Sequence, residues 1–260
     1  MLNMIKAEIK RLVKSKEFWV AIGVYLLVYC GCFFIQLSAQ SGEAFISQEY
    51  SKEPGFYIIV DAIIASLNQM VQTFGFGFGS LILGIYFTSF VCSEYSSGYI
   101  KNTAMMEGGR ASVIISKTII AALISMIVIL FNYIVGAILG TSFIHIFTIE
   151  PLTELLKNGC IMWLLSIALF SLVIFLSTFF HSKTAGIVIL FLVSSGMLLP
   201  VFHTVFDLLH IPWAAEYTLS YFFSTVLNTS TIMSHAFVMS ILFMMVYNIL
   251  SILIIKRRDL

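Results

Sequence analysis

The polar residues best suited to chemistry gather in one short stretch. Between the uncharged runs 62–93 and 118–149 stand Glu94, Tyr95, Gly98, Lys101, Asn102, Arg110 and Lys117. A carboxylate, an amide and several cations form ion pairs and hydrogen bonds with a protein surface or with lipid phosphates. Gly98 permits a sharp change of chain direction. These residues suit ion pairing rather than covalent catalysis, and Lys101, Arg110 and Lys117 equally suit plain positive charge on an inner loop. A second polar group, Asn68, Gln72 and Thr73, sits where an apolar run gathers strength. These side chains are candidates for lining a substrate path near an outer exit.

Other reactive constellations are missing from the sequence. No G-x-x-x-x-G-K-[ST] phosphate loop occurs, so the chain is expected to hold no ATP in that manner. No G-x-S-x-G or H-E-x-x-H is found either. His145, His203, His210 and His235 have no metal-ligand spacing, and Cys30, Cys32, Cys92 and Cys160 suggest neither zinc nor a disulfide framework. No catalytic residue, no metal site and no cofactor of this chain's own is expected.

The elements that must position these residues are membrane helices. The runs 18–42, 62–93, 118–149, 158–182, 184–206 and 217–255 contain no Asp, Glu, Lys or Arg. About 20 apolar helical residues cross a bilayer core of ~30 Å. The chain is 60% hydrophobic and only 10% charged, against about 25% charged in soluble domains. The expected fold is a single all-α polytopic membrane domain, 1–260, with six spans at about 18–39, 73–92, 118–140, 158–180, 184–200 and 232–255. With both termini inside, 12 of the 14 Lys and Arg residues fall on the inner side, leaving Lys52 and Lys157 outside. The positive-inside rule favours that threading. It implies a cytoplasmic membrane protein with cytoplasmic termini.

Smaller elements complete the expectation. In residues 1–17, Leu2, Ile5, Ile9 and Leu12 share a helical face with Val13 beside it, and Lys6, Lys10 and Lys14 form a basic stripe. An amphipathic helix lying in the inner lipid headgroups fits this pattern. Residues 56–72 read as an outer amphipathic helix leading into the second span, and 94–117 as an inner polar loop. The interrupted stretch 201–231 reads as a short outer helical hairpin that re-enters the membrane. Glycines 75, 77, 79 and 84, and then 136 and 140, allow close helix contacts, either within the chain or between two copies.

The inner loop carries the most specific signal. It runs Ser93-Glu94-Tyr95-Ser96-Ser97-Gly98-Tyr99-Ile100-Lys101-Asn102, then Gly108-Gly109-Arg110 and Ser116-Lys117. This resembles the E-x-x-x-G-x-x-K-N…G…R…S-K pattern of type-2 (ABC-2) ABC exporter permeases, the antibiotic and bacteriocin export and immunity family. The resemblance implies two permease subunits, identical or related, each resting on a separate ATPase that supplies ATP and Mg chemistry. It implies that Glu94, Tyr95, Gly98, Lys101, Asn102 and Arg110 belong to the ATPase-coupling segment. It also implies an amphipathic or hydrophobic substrate, such as a peptide antibiotic, bacteriocin or toxin. A Glu94 reversal is then expected to spare membrane insertion and to disturb coupling. Membrane lipids are expected partners and nucleic acid is not.

Rival classes make distinct demands. A self-sufficient channel or secondary carrier needs ionisable groups within the spans, and these are scarce. A membrane enzyme needs a nucleophile–base or metal constellation. A non-transporting membrane assembly protein makes no such demand.

Overall fold

The computed structural model describes residues 2–40, 66–98, 109–144, 147–228 and 234–257. These residues are overwhelmingly helical. The helices are α1 (Leu2–Lys14), α2 (Lys16–Gln40), α3 (Leu67–Met70), α4 (Phe78–Ser96), α5 (Gly109–Phe143), α6 (Leu152–Phe180), α7 (Lys183–Ser194), α8 (Leu198–Leu208), α9 (Leu219–Asn228) and α10 (Ser234–Arg257). A π-helical segment, Val71–Gly77, joins α3 to α4, and a 3₁₀ turn, Pro212–Tyr217, joins α8 to α9.

Among the described residues, five helical stretches are long and apolar enough to cross a membrane: Lys16–Ile35, Leu67–Tyr95, Ala111–Phe143, Leu152–Phe180 and His235–Lys256. A bent pair, α7 with α8, makes a sixth when counted as one span. The chain is therefore an all-α polytopic membrane protein. α6 is buried along most of its length and lies against α4, α5, α7 and α10. α2 and α10 expose apolar side chains such as Val20, Leu27, Phe34, Val238 and Leu253. Exposed apolar surface on this scale marks contact with lipid or with another membrane chain.

Local chemistry explains the boundaries. The Ser15 hydroxyl bonds the Leu12 carbonyl and accepts the Phe18 amide, so it closes α1 and opens α2. Ser66 caps α3 by accepting the Gln69 amide. α6 ends at His181, whose φ of 52° is left-handed. Ser182 then caps α7 by accepting the Ala185 amide.

The fifth span departs from the sequence expectation. A straight helix over 184–200 is not what forms. α7 stops at Ser194, and its 12 residues reach only about 18 Å. Gly196 adopts φ 73°, and α8 leaves at 80° to α7. Gly has no Cβ to oppose the left-handed turn, and Pro200 is tolerated in the first turn of α8. The third long helix also begins earlier than expected, at Gly109, so that Arg110 and Lys117 sit on α5 and not in a loop. The expected outer helix over 56–72 lies mostly outside the described residues. Its described end, from Leu67, belongs to the span itself.

Candidate functional site: a buried charge cluster beside the coupling loop

The described part of the 94–117 segment converges on one carboxylate. Glu94 lies in the last turn of α4 and is only 1% exposed. Its Oε1 lies 2.6 Å from Arg11 Nη2 on α1. Its Oε2 accepts a hydrogen bond from Lys117 Nζ on α5. Lys117 is itself fully buried. The Arg11 guanidinium also donates to the Phe90 carbonyl at 3.2 Å and covers the Phe90 ring at 4.1 Å. Glu8 is buried on the same side of α1, with Oε2 3.7 Å from Arg11 Nη1. Two acids and two bases thus fasten α1, α4 and α5 together.

Burying charges is tolerable only when each is paired. The pairing fixes how α1 lies. Met4, Glu8 and Leu12 face inward, whereas Ile9 and Val13 are exposed. The sequence pattern placed Ile9 and Val13 on or beside the apolar face of a helix lying in lipid headgroups and took no account of Glu8. The exposed Ile9 and Val13 suit lipid contact, and Lys6, Lys10 and Lys14 are exposed as well.

Glu8 is the least satisfied member of the cluster: neither carboxylate oxygen has a hydrogen-bond partner among the described residues. Burial raises its carboxyl above the ordinary 4.5 as the largest cause; Lys117 opposes that, the nearby Glu94 carboxylate adds to it, and Arg11 opposes it. A raised folded-state value stabilises the fold fully below the ordinary 4.5 and loses that contribution as pH rises through the folded value. A Glu8→Gln variant, which permanently mimics the neutral form, should therefore lose less thermal stability than the native chain as pH climbs. Melting curves of both chains across acid to neutral pH check this. Parallel pH slopes would refute it.

The other sequence candidates fall in several places. The Tyr95 hydroxyl donates to Thr178 Oγ1 at 2.9 Å, and its ring lies 4.4 Å from that of His181. Tyr95 thus ties α4 to the α6–α7 turn. Gly98 follows with φ 68°, in the left-handed region. Lys101 and Asn102 lie outside the described residues, and of Arg110 only the backbone, in the first turn of α5, is described.

Asn68, Gln72 and Thr73 lie at the opposite end of α4. Asn68 is buried; its amide N–H is 3.2 Å from each Glu150 carboxylate oxygen, and its Oδ1 accepts from Tyr133 at 3.0 Å. Gln72 is buried too, and its Nε2 has no hydrogen-bond partner among the described residues. Thr73 is half-buried in the π segment. π-helical turns are rare and recur at functional positions.

Sequence reasoning missed Glu8, Arg11 and the interior amides. The Tyr25 hydroxyl donates to Asn132 Oδ1, and the Tyr29 hydroxyl donates to the Asn132 carbonyl. Thr118 donates to Asn248 Oδ1 at 2.6 Å, and Asn248 Nδ2 donates to Ser171. The available signal was an Asn inside each of two otherwise apolar spans, since such groups normally find partners across helices.

The architecture defines a class: a multi-pass helical membrane protein with a buried charge cluster at one end of its spans. Residues 4–196 match the model of the family described as ABC-2 family transporter protein. The chain belongs to this family. The match spans α1 to the end of α7, and so includes all four residues of the charge cluster. No curated protein matches the chain significantly.

Proposed function

We propose that the chain is the permease of an ATP-driven exporter and works with a separately encoded ATPase. Two permeases pair, alike or related, and each rests on one ATPase. The substrate is an amphipathic or hydrophobic compound, with peptide antibiotics, bacteriocins and toxins as the leading chemical class. Family membership and the Glu8–Arg11–Glu94–Lys117 cluster carry this reading. The cluster makes α1, α4 and α5 one mechanical unit at the root of the 94–110 segment. A push on that segment would then move three helices together. In this reading Tyr95, Gly98, Lys101, Asn102 and Arg110 meet the ATPase or orient the loop toward it. Glu94 acts from inside, as the anchor of the loop. Asn68, Gln72 and Thr73 stand near the exit at the other end.

The decisive experiment is reconstitution with and without the ATPase. The chain alone should show background ATP turnover, since it carries no phosphate loop. With the ATPase, hydrolysis should respond to substrate. A Gly/Ser linker in place of residues 97–108 should break that response while leaving the permease inserted. Strong ATP turnover by the chain alone, or unchanged transport with the linker, would overturn the reading.

Both termini are proposed to be cytoplasmic on the strength of the positive-inside count. Cysteines placed singly at Thr153 and Lys256, with the four native cysteines replaced, test it. An impermeant thiol reagent applied to intact cells should label the first and spare the second. Equal labelling would sink this topology.

A further inference from the structure

An apolar groove of about 510 Å³ runs between α5 and α6. Its walls include Met126, Leu130 and Ile134 of α5 and Leu152, Leu156 and Trp163 of α6. The α6 residues lie on one helical face. From Leu152 to Trp163 the groove follows α6 for about 17 Å, close to one leaflet of a ~30 Å hydrocarbon core. Its few polar groups are engaged elsewhere. Trp163 Nε1 donates to the Ala122 carbonyl at 2.8 Å, and the Tyr133 hydroxyl donates to Asn68. The walls therefore offer apolar contact and almost no free hydrogen-bonding group to an occupant.

One end of the groove differs. Ile149, Leu152, Tyr133 and Leu67 border it there. Glu150 follows Ile149 just outside the wall, half-buried, its carboxylate facing the backbone amide of Asn68, the neighbour of Leu67. Among the described residues no Lys, Arg or His side chain lies within ion-pair distance of Glu150. A half-buried carboxylate without a cation favours a positive partner.

The geometry points to a lateral binding site for a cationic amphipath: one hydrocarbon chain lies between α5 and α6, with an ammonium head at Glu150. This deepens the exporter reading and rests on it for the meaning of the site, which would collect substrate from the outer leaflet. The binding itself can be measured without transport.

The test uses the full chain in nanodiscs with Trp19→Phe and Trp213→Phe, so that Trp163 is the sole tryptophan of the three. The probe is an octadecyl chain brominated at mid-length, carried either on a trimethylammonium or on a sulfate head. Bromine quenches indole fluorescence on contact. Saturable quenching is expected, about tenfold tighter for the ammonium probe. Glu150→Gln should erase that preference and keep the quenching. Ala137→Phe, which fills the groove, should abolish the quenching, with thermal stability measured alongside to show that the chain is folded. Three outcomes overturn the site. Non-saturable quenching alike for both heads means bulk lipid only. Absent quenching, with Cys160 protected from thiol reagents, means that a second chain covers the groove. A preference unchanged by Glu150→Gln removes the carboxylate's role. A site that binds in a chain that no ATPase energises would leave the groove standing and refute the exporter reading instead.

Discussion

Reversing Glu94 to Lys should unfold the corner where α1, α4 and α5 meet rather than merely loosen a partner. The carboxylate is 1% exposed and holds Arg11 and a fully buried Lys117. Reversal would gather three cations against one another around the Phe90 ring. Breaking one side of a buried pair costs ~3–5 kcal/mol, whereas a solvent-exposed pair contributes under about 1 kcal/mol. The larger range applies here. The sequence expectation, that such a reversal spares insertion because Glu94 lies outside the apolar core, took no account of this burial. The purified variant should melt well below the native chain and accumulate poorly in the membrane. The double swap Glu94→Lys with Lys117→Glu should recover part of the loss, because the pair is internal. A variant with native melting behaviour that fails to hold its ATPase would instead place Glu94 at the partner surface.

The second large effect concerns Gly75, in the π segment. A Cβ there would stand 2.6 Å from Asn132 Nδ2 and 2.8 Å from its Cγ. Asn132 is fully buried and engaged with Tyr25, so it has little room to yield. Overpacking a core costs ~1–3 kcal/mol, and displacing a buried hydrogen-bonded amide adds ~1–3 kcal/mol. Gly75→Val should therefore lower the melting point clearly. Gly31→Ala serves as the control, because a Cβ at Gly31 meets nothing within 4 Å. Equal melting points for the two variants would show that the packing of the π segment on α5 does not depend on this close approach. The same geometry bears on the glycine ridge. Gly75 meets Asn132, Gly84 meets Leu190 and Gly136 approaches Tyr29, so at these positions the contact is within the chain.

By itself the sequence determined the class of fold. Uncharged runs of spanning length have one economical destination, because a charge at mid-bilayer is costly and every backbone amide there must bond within a helix. The same cost confined the charges to the gaps and made the 94–117 segment stand out. Residues Ser93–Lys117 also carried a pattern similar to that of the family to which the chain belongs. Helix propensity and period, however, are local. They could not tell that α7 stops at Ser194, because its arrest depends on Gly196 adopting a left-handed turn. They could not tell that α1 turns Glu8 into the protein, because a helical wheel has no knowledge of what it will meet. Glu8, Arg11, Glu94 and Lys117 come from three helices spread over more than a hundred positions. Only the tertiary packing made them one cluster, since the cost of burying each charge is set by partners that no local period encodes.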